Sequence, residues 1–255
     1  MLQIEPTKHL LGITVQGDFN DFREIVDSIY NVVGLDYDAR DMYYGVKNRL
    51  LGVCYEIRHA YQGDRGIFLI DNFMNDETMK WHGLITPKKN VYYSAEILFP
   101  EAIFIAASVP KIYFTAEKYY GSRAKKTENF IRPIPFSDMM RDVANLDVLC
   151  SRIWMALGKV IGETELEKII RSCRSEHESY REYATHYIDK CNIELCKTAE
   201  EKRKEKIKNI AKRIVKKPDA YYSMEADLKY WAKHYKTSIY EIQDPDLKYP
   251  EDIEW

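Results

Sequence analysis

The stretch CYEIRHAYQGDR, Cys54 to Arg65, gathers Glu56, Arg58, His59, Tyr61, Gln62, Asp64 and Arg65. These are the residue types of acid–base and anion chemistry. Histidine can act as a general base near neutral pH, a carboxylate can orient it, and arginine can clamp an anion. His59, Asp64, Arg58 and Arg65 therefore form the candidate catalytic set, suited to a hydrolase or nuclease acting on a phosphate-bearing substrate. Tyr55 and Gln62 are binding candidates on the same helix face. A later stretch, KWHGLITPKKNVYY, adds His82, Lys88 and Tyr92 if the fold brings it near. A plainer explanation competes. Cations at a helix C-terminus complement its dipole, and QGDR is ordinary turn chemistry.

Metal chemistry finds only fragments. Glu56 and His59 make one E-x-x-H half-site, and a di-iron carboxylate centre needs two such pairs plus two further glutamates. HESYR begins as the helical zinc motif does but places Arg181 where the second histidine is required. His186, Cys191 and Cys196 are spaced by five, which turns a helix by roughly 140° per step and keeps them from converging. No metal and no cofactor is expected. The serine elbow, the phosphate loop and the dinucleotide turn are absent as motifs.

The other charged feature is Lys197–Lys217, with ten Lys/Arg against Glu200, Glu201 and Glu205. Lys206, Lys208, Lys212 and Arg213 are its candidate nucleic-acid contacts. The same segment carries an apolar stripe, Ile207, Ile210, Ala211, Ile214 and Val215, and lacks aromatics for base stacking. Docking by that stripe is the more ordinary use of such a helix. The acid-rich end, EIQDPDLKYPEDIEW, offers the basic segment a partner within the chain. The whole chain has a formal charge of -2, which gives no general pull toward nucleic acid. Ser238 and Glu241 suggest a capping box in a helix-turn-helix, but Pro245 stops the second helix early.

The elements that must position these residues follow from periodicity. A strand is expected over 10–17 and a helix over 20–33 capped by Asp18 or Asn20. A second helix runs over 43–61, with Val46, Leu50, Val53, Cys54 and Ile57 inward. Strands follow at 67–71 and 91–99. Pro100 and Glu101 suit the first turn of a helix that meets Pro110. The polar stretch 121–137 is the boundary candidate. Beyond it, helices are predicted over 137–157, 163–178, 180–216 and 223–235. Glycine (11) and proline (9) are scarce in 255 residues, which favours long helices over an all-β fold. The expected class is α+β and helix-rich: a small N-terminal sheet with packed helices (1–130), then an all-α half (131–255), as a domain or an extension packed on the first.

LLGVCYEIRHAYQGDR, KWHGLITPKKNVYYS and FPE resemble an uncharacterised family of bacterial proteins of unknown function, over roughly residues 8–110. The resemblance implies no activity and assigns no catalytic residue. With 20 tyrosines suited to interfaces and no complete catalytic set, the expectation is a non-catalytic binding or regulatory protein acting through protein contacts, self-association included. Five widely spaced cysteines read as free thiols in a reducing, cytoplasmic setting. No signal peptide and no membrane partner are expected, the longest apolar run being too short to span a bilayer.

Overall fold

A computed structural model of the chain describes residues 1–34, 40–121, 134–175 and 180–255. Most of the polar stretch 121–137, the start of HESYR and the end of the helix expected over 163–178 lie outside the described residues.

The chain is α+β and helix-rich, with one small antiparallel sheet at its N-terminal end followed by helices. The sheet contains β1 (Gln3–Pro6), β2 (Gly12–Gly17), β3 (Gly66–Asp71) and β4 (Lys89–Leu98), in the order β1-β2-β4-β3. Alternation sets its two faces. Ile4 pairs with Val15, Val15 with Ala95 and Ile13 with Ile97, so these side chains share the buried face. Gln3, Gln16, Thr14 and Glu96 occupy the opposite, polar face. Strand β1 escaped the sequence reading because QIEP is only four residues long and ends in proline.

Helix α1 (Phe19–Val33) opens with a reciprocal cap. Asp18 accepts from the Asn20 and Asp21 amides at 2.9 Å each, and Asp21 accepts from the Asp18 amide at 3.1 Å. Helix α2 (Tyr44–His59) buries Val46, Leu50, Val53, Cys54 and Ile57, the stripe expected from its spacing. It then widens into one π-type turn, Ala60–Asp64, and Gly63 ends it at φ 95, a left-handed value that glycine adopts without a Cβ clash. Helix α3 (Asp76–His82) lies between β3 and β4.

Helix α4 (Phe99–Ser108) is the centre of the molecule. Every residue in it is buried except Glu101, as expected of a helix apolar on all sides. After a short turn at Pro110 come α5 (Tyr113–Ala116) and the long α6 (Phe136–Ile161), which packs on α1, α4 and β1. Helices α7 (Glu163–Ser175), α8 (His186–Cys196), α9 (Glu200–Lys216) and α10 (Asp219–Tyr235) follow, and after them residues 236–255 form one short 3-10 turn at Ile239–Glu241 and no further helix or strand. The single helix expected over 180–216 is thus two helices. The break follows Cys196, where the Thr198 hydroxyl donates to the Glu194 carbonyl at 2.7 Å and competes with helix continuation.

Two buried polar knots tie the elements together. Asp142 of α6 is fully buried and accepts from Ser28 (3.1 Å) and Asn31 (2.9 Å) of α1 and from Tyr120 (3.0 Å). Lys47 of α2, also fully buried, pairs with Asp41 at 2.7 Å. The tyrosines divide between core and surface. Tyr221 is buried and Tyr222 exposed, but Tyr119 and Tyr120 are both buried, and Tyr180, Tyr183 and Tyr187 join Phe104 inside. Among the described residues, no helix is long and apolar enough to cross a membrane.

Candidate functional site

The predicted catalytic set is only half assembled. His59 Nδ1 lies 3.0 Å from Asp64 Oδ2, and the wide turn after α2 brings the two together. Tyr55 lies against His59, the rings tilted with centroids 4.1 Å apart. The arginines are turned elsewhere. Arg58 donates to the Tyr30 hydroxyl at 3.0 Å on the α1 side. Arg65 binds Glu56 at 2.8 Å, and that hydrogen bond raises its pKa. Gln62 is exposed. Among the described residues, neither candidate arginine clamps an anion beside the histidine.

The later candidates sit apart from this pair. His82 is exposed beside Trp81, Lys88 pairs with Asp76 at 2.8 Å, and Tyr92 packs on Phe68 and accepts from the N-terminal amine at 3.4 Å. The four basic candidates of α9 are all engaged. Lys206 and Arg213 bind Glu194, the former at 2.7 Å; Lys212 binds Glu165 at 2.7 Å; Lys208 binds Glu205 at 2.5 Å. Their partners belong to α7, α8 and α9 itself, not to the acid-rich C-terminal stretch. Meanwhile Ile207, Ile210, Ala211, Ile214 and Val215 are all buried.

A cleft of about 830 Å³ is lined by Tyr55 and Glu56 but not by His59 or Asp64. One wall is the outer face of α2: Asn48, Gly52, Tyr55 and Glu56, at helical spacing. A second is the end of β4. Strand β3 stops pairing at Gly66–Ser94, so from Ala95 onward β4 is paired only with β2, and Glu96, Ile97 and Leu98 border the cleft. Helix α8 supplies His186, Asp189 and Asn192, and the C-terminal stretch supplies Tyr249, Ile253 and Trp255. Gly45 allows the close approach of these parts. A Cβ there would lie 2.9 Å from the Tyr183 carbonyl oxygen, the Thr185 methyl and the Tyr240 ring.

At its floor is a charge network. Arg49 binds Glu101 at 3.1 Å, the two oxygens of Asp189 (one at 2.9 Å) and the Thr185 carbonyl at 2.8 Å. Their side chains are only 18% (Arg49), 14% (Glu101) and 23% (Asp189) exposed, so the pairing is more than a surface contact. Burial pushes the Glu101 carboxyl above its ordinary value and Asp189 adds to this, while Arg49 opposes it. Burial disfavours the charged Arg49, but Glu101 and Asp189 overcome that and raise its pKa. The Tyr249 hydroxyl donates to Asp189 at 2.8 Å, and Asn192 Nδ2 donates to the Tyr249 oxygen at 3.0 Å. None of these residues was a sequence candidate. One signal was visible: Glu101 is the lone charge within ILFPEAIFIAASVP. Its partners, 52 and 88 positions away, carry no such mark.

The second conspicuous feature is an arm. From Tyr61 to Tyr93 no residue is buried. The hairpin of β3 and β4 nevertheless keeps six paired positions, Gly66–Ser94 to Asp71–Lys89. Ile67, Leu69 and Val91 share one face and are 55%, 58% and 45% exposed. Phe73 (88%), Trp81 (81%) and Ile85 (98%) stand out between the strands.

The chain belongs to the family described as "Domain of unknown function (DUF6904)", whose model matches residues 2–255. Membership therefore extends over the helical second half as well as the N-terminal stretches that suggested a family. No curated protein and no solved structure matches the chain significantly.

Proposed function

We infer that this is a non-catalytic binding protein acting through protein contacts, and that the arm makes them, first of all with a second copy of the chain. The observation that carries this reading is the run from Tyr61 to Tyr93 without a buried residue, rich in large apolar side chains. Edge strands left apolar and unprotected pair with other chains. Strand β3 is such an edge, and it has no proline or lysine to blunt it.

Charge favours a like partner. Between Gly66 and Val91, Asp71, Asp76 and Glu77 balance Lys80, Lys88 and Lys89. A neutral surface has no attraction for nucleic acid or anionic lipid and no repulsion for its own copy. The exposed parts of Ile67, Leu69, Phe73, Trp81, Leu84, Ile85 and Val91 amount to on the order of 900 Å², against ~800 Å² per partner in a standard interface. An antiparallel meeting of two β3 edges about a two-fold axis also satisfies the self-complementarity that a closed dimer requires.

The alternative, a hydrolase or nuclease, retains one supporting contact, the His59–Asp64 pair at 3.0 Å. Its two candidate arginines, Arg58 and Arg65, are engaged by Tyr30 and Glu56 instead of forming the anion clamp such a substrate needs. Nucleic-acid binding by α9 has less support still, since its four candidate cations already hold carboxylates.

Sedimentation of the purified chain tests the reading. At about 100 µM the wild type is expected to be a dimer, and Leu69→Lys with Val91→Lys a folded monomer, since a micromolar interface is saturated there. A wild type that stays monomeric at that concentration would falsify the proposal, as would a double variant that still dimerises.

A further inference from the structure

The cleft beneath the C-terminal stretch carries a second, independent inference. Its walls hold four carboxylates, Glu56, Glu96, Glu101 and Asp189, against one arginine, Arg49. Glu56 is neutralised by Arg65, outside the lining. Glu101 and Asp189 share Arg49 between them. Glu96 points from the polar face of the sheet and has no ion pair or side-chain hydrogen bond among the described residues. The cleft is left with an excess of negative charge and one carboxylate unpartnered.

Aromatic rings complete the lining: Tyr55, Tyr240, Tyr249 and Trp255. Ring faces attract cations, best when water is excluded. The volume, about 830 Å³, is that of a small-molecule site and far exceeds the need of a bare ion. Nor do three metal-ligating side chains converge anywhere among the described residues.

We propose that this cleft binds a small organic cation, an ammonium or guanidinium on a short apolar body. Its charged end meets Glu96 and the Glu101–Asp189 pair, and its body lies against Trp255 and Tyr249.

Calorimetric titration of the full chain tests this with agmatine and n-hexylamine as cations, and n-hexanol and hexanoate as neutral and anionic counterparts of similar size. Saturable binding of a cation with at least tenfold preference over both counterparts is expected. Glu96→Gln, which removes charge from a half-exposed wall position without disturbing a buried pair, should weaken that binding about tenfold, the effect of losing one ~1.4 kcal/mol contact. Its thermal unfolding should match the wild type. The proposal is overturned if neither cation outbinds n-hexanol and hexanoate, or if Glu96→Gln binds them as the wild type does. Displacement of a bound amine by an equal concentration of magnesium chloride would also overturn it, in favour of an inorganic ion.

Discussion

Glu101 shows what one residue can do against its surroundings. It is the least buried residue of α4, its side chain still only 14% exposed, and it sits in the first turn, where the helix dipole welcomes a carboxylate. Burial and Asp189 nevertheless raise its pKa above the ordinary 4.5. A carboxyl raised in the folded state binds its proton more tightly there than in the unfolded chain. Its contribution to stability is then fullest below about pH 4.5 and declines as pH rises through the folded value. Glu101→Gln keeps the shape and removes the titration. The stability difference should therefore move in the variant's favour as pH climbs from 4.5, read from urea unfolding at a series of pH values. A difference that does not change with pH would mean that Arg49 cancels the effect of burial. At this scale the sequence was a poor guide. CYEIRHAYQGDR drew attention because reactive side chains lie together in it, and the His59–Asp64 contact does form. The floor of the cleft draws on Arg49, Glu101 and Asp189, which meet only because α2, α4 and α8 pack together, and nothing local announces that.

Elements were far more legible than sites, because periodicity is a local signal. The stripe of α2, the cap at Asp18, the proline start of α4 and the stripe of α9 all follow from spacing. The failures were also local in origin. QIEP is too short to show alternation, and Thr198 breaks a helix that composition alone would continue. Helix α9 shows how an apolar stripe and a charged face divide their roles. Ile210 is fully buried, whereas Lys208 bonds Glu205 on the surface. Ile210→Ala should cost about 2–5 kcal/mol, as cavity-forming truncations do, and Lys208→Ala should leave stability nearly unchanged. Chemical denaturation of the two variants checks this. Equal losses would mean that the charged face, not the stripe, holds the helix in place.

For the molecule as a whole, one core runs from Leu2 through α4 to Leu228. It encloses four of the five cysteines, Cys54, Cys150, Cys173 and Cys191, and leaves Cys196 half-buried. Burial raises the Cys54 thiol to about 11 and Cys191 to about 12, so little thiolate exists near neutral pH. Iodoacetamide should therefore modify the native protein first at Cys196 and reach the other four only at the rate at which the fold opens, a rate that urea should raise steeply. Prompt labelling of all five in native buffer would contradict a closed core. Most of the arm stands outside this core. Only its two ends, Tyr61 and Tyr93, pack against the core, and between them its strands are held by their own ladder and a few surface contacts. A segment so placed can come apart while the rest stays folded. In a pairing with a second copy, ordering the arm and joining the partner become one event. The concentration of the chain then governs how much of β3 is formed, as well as how many molecules are paired.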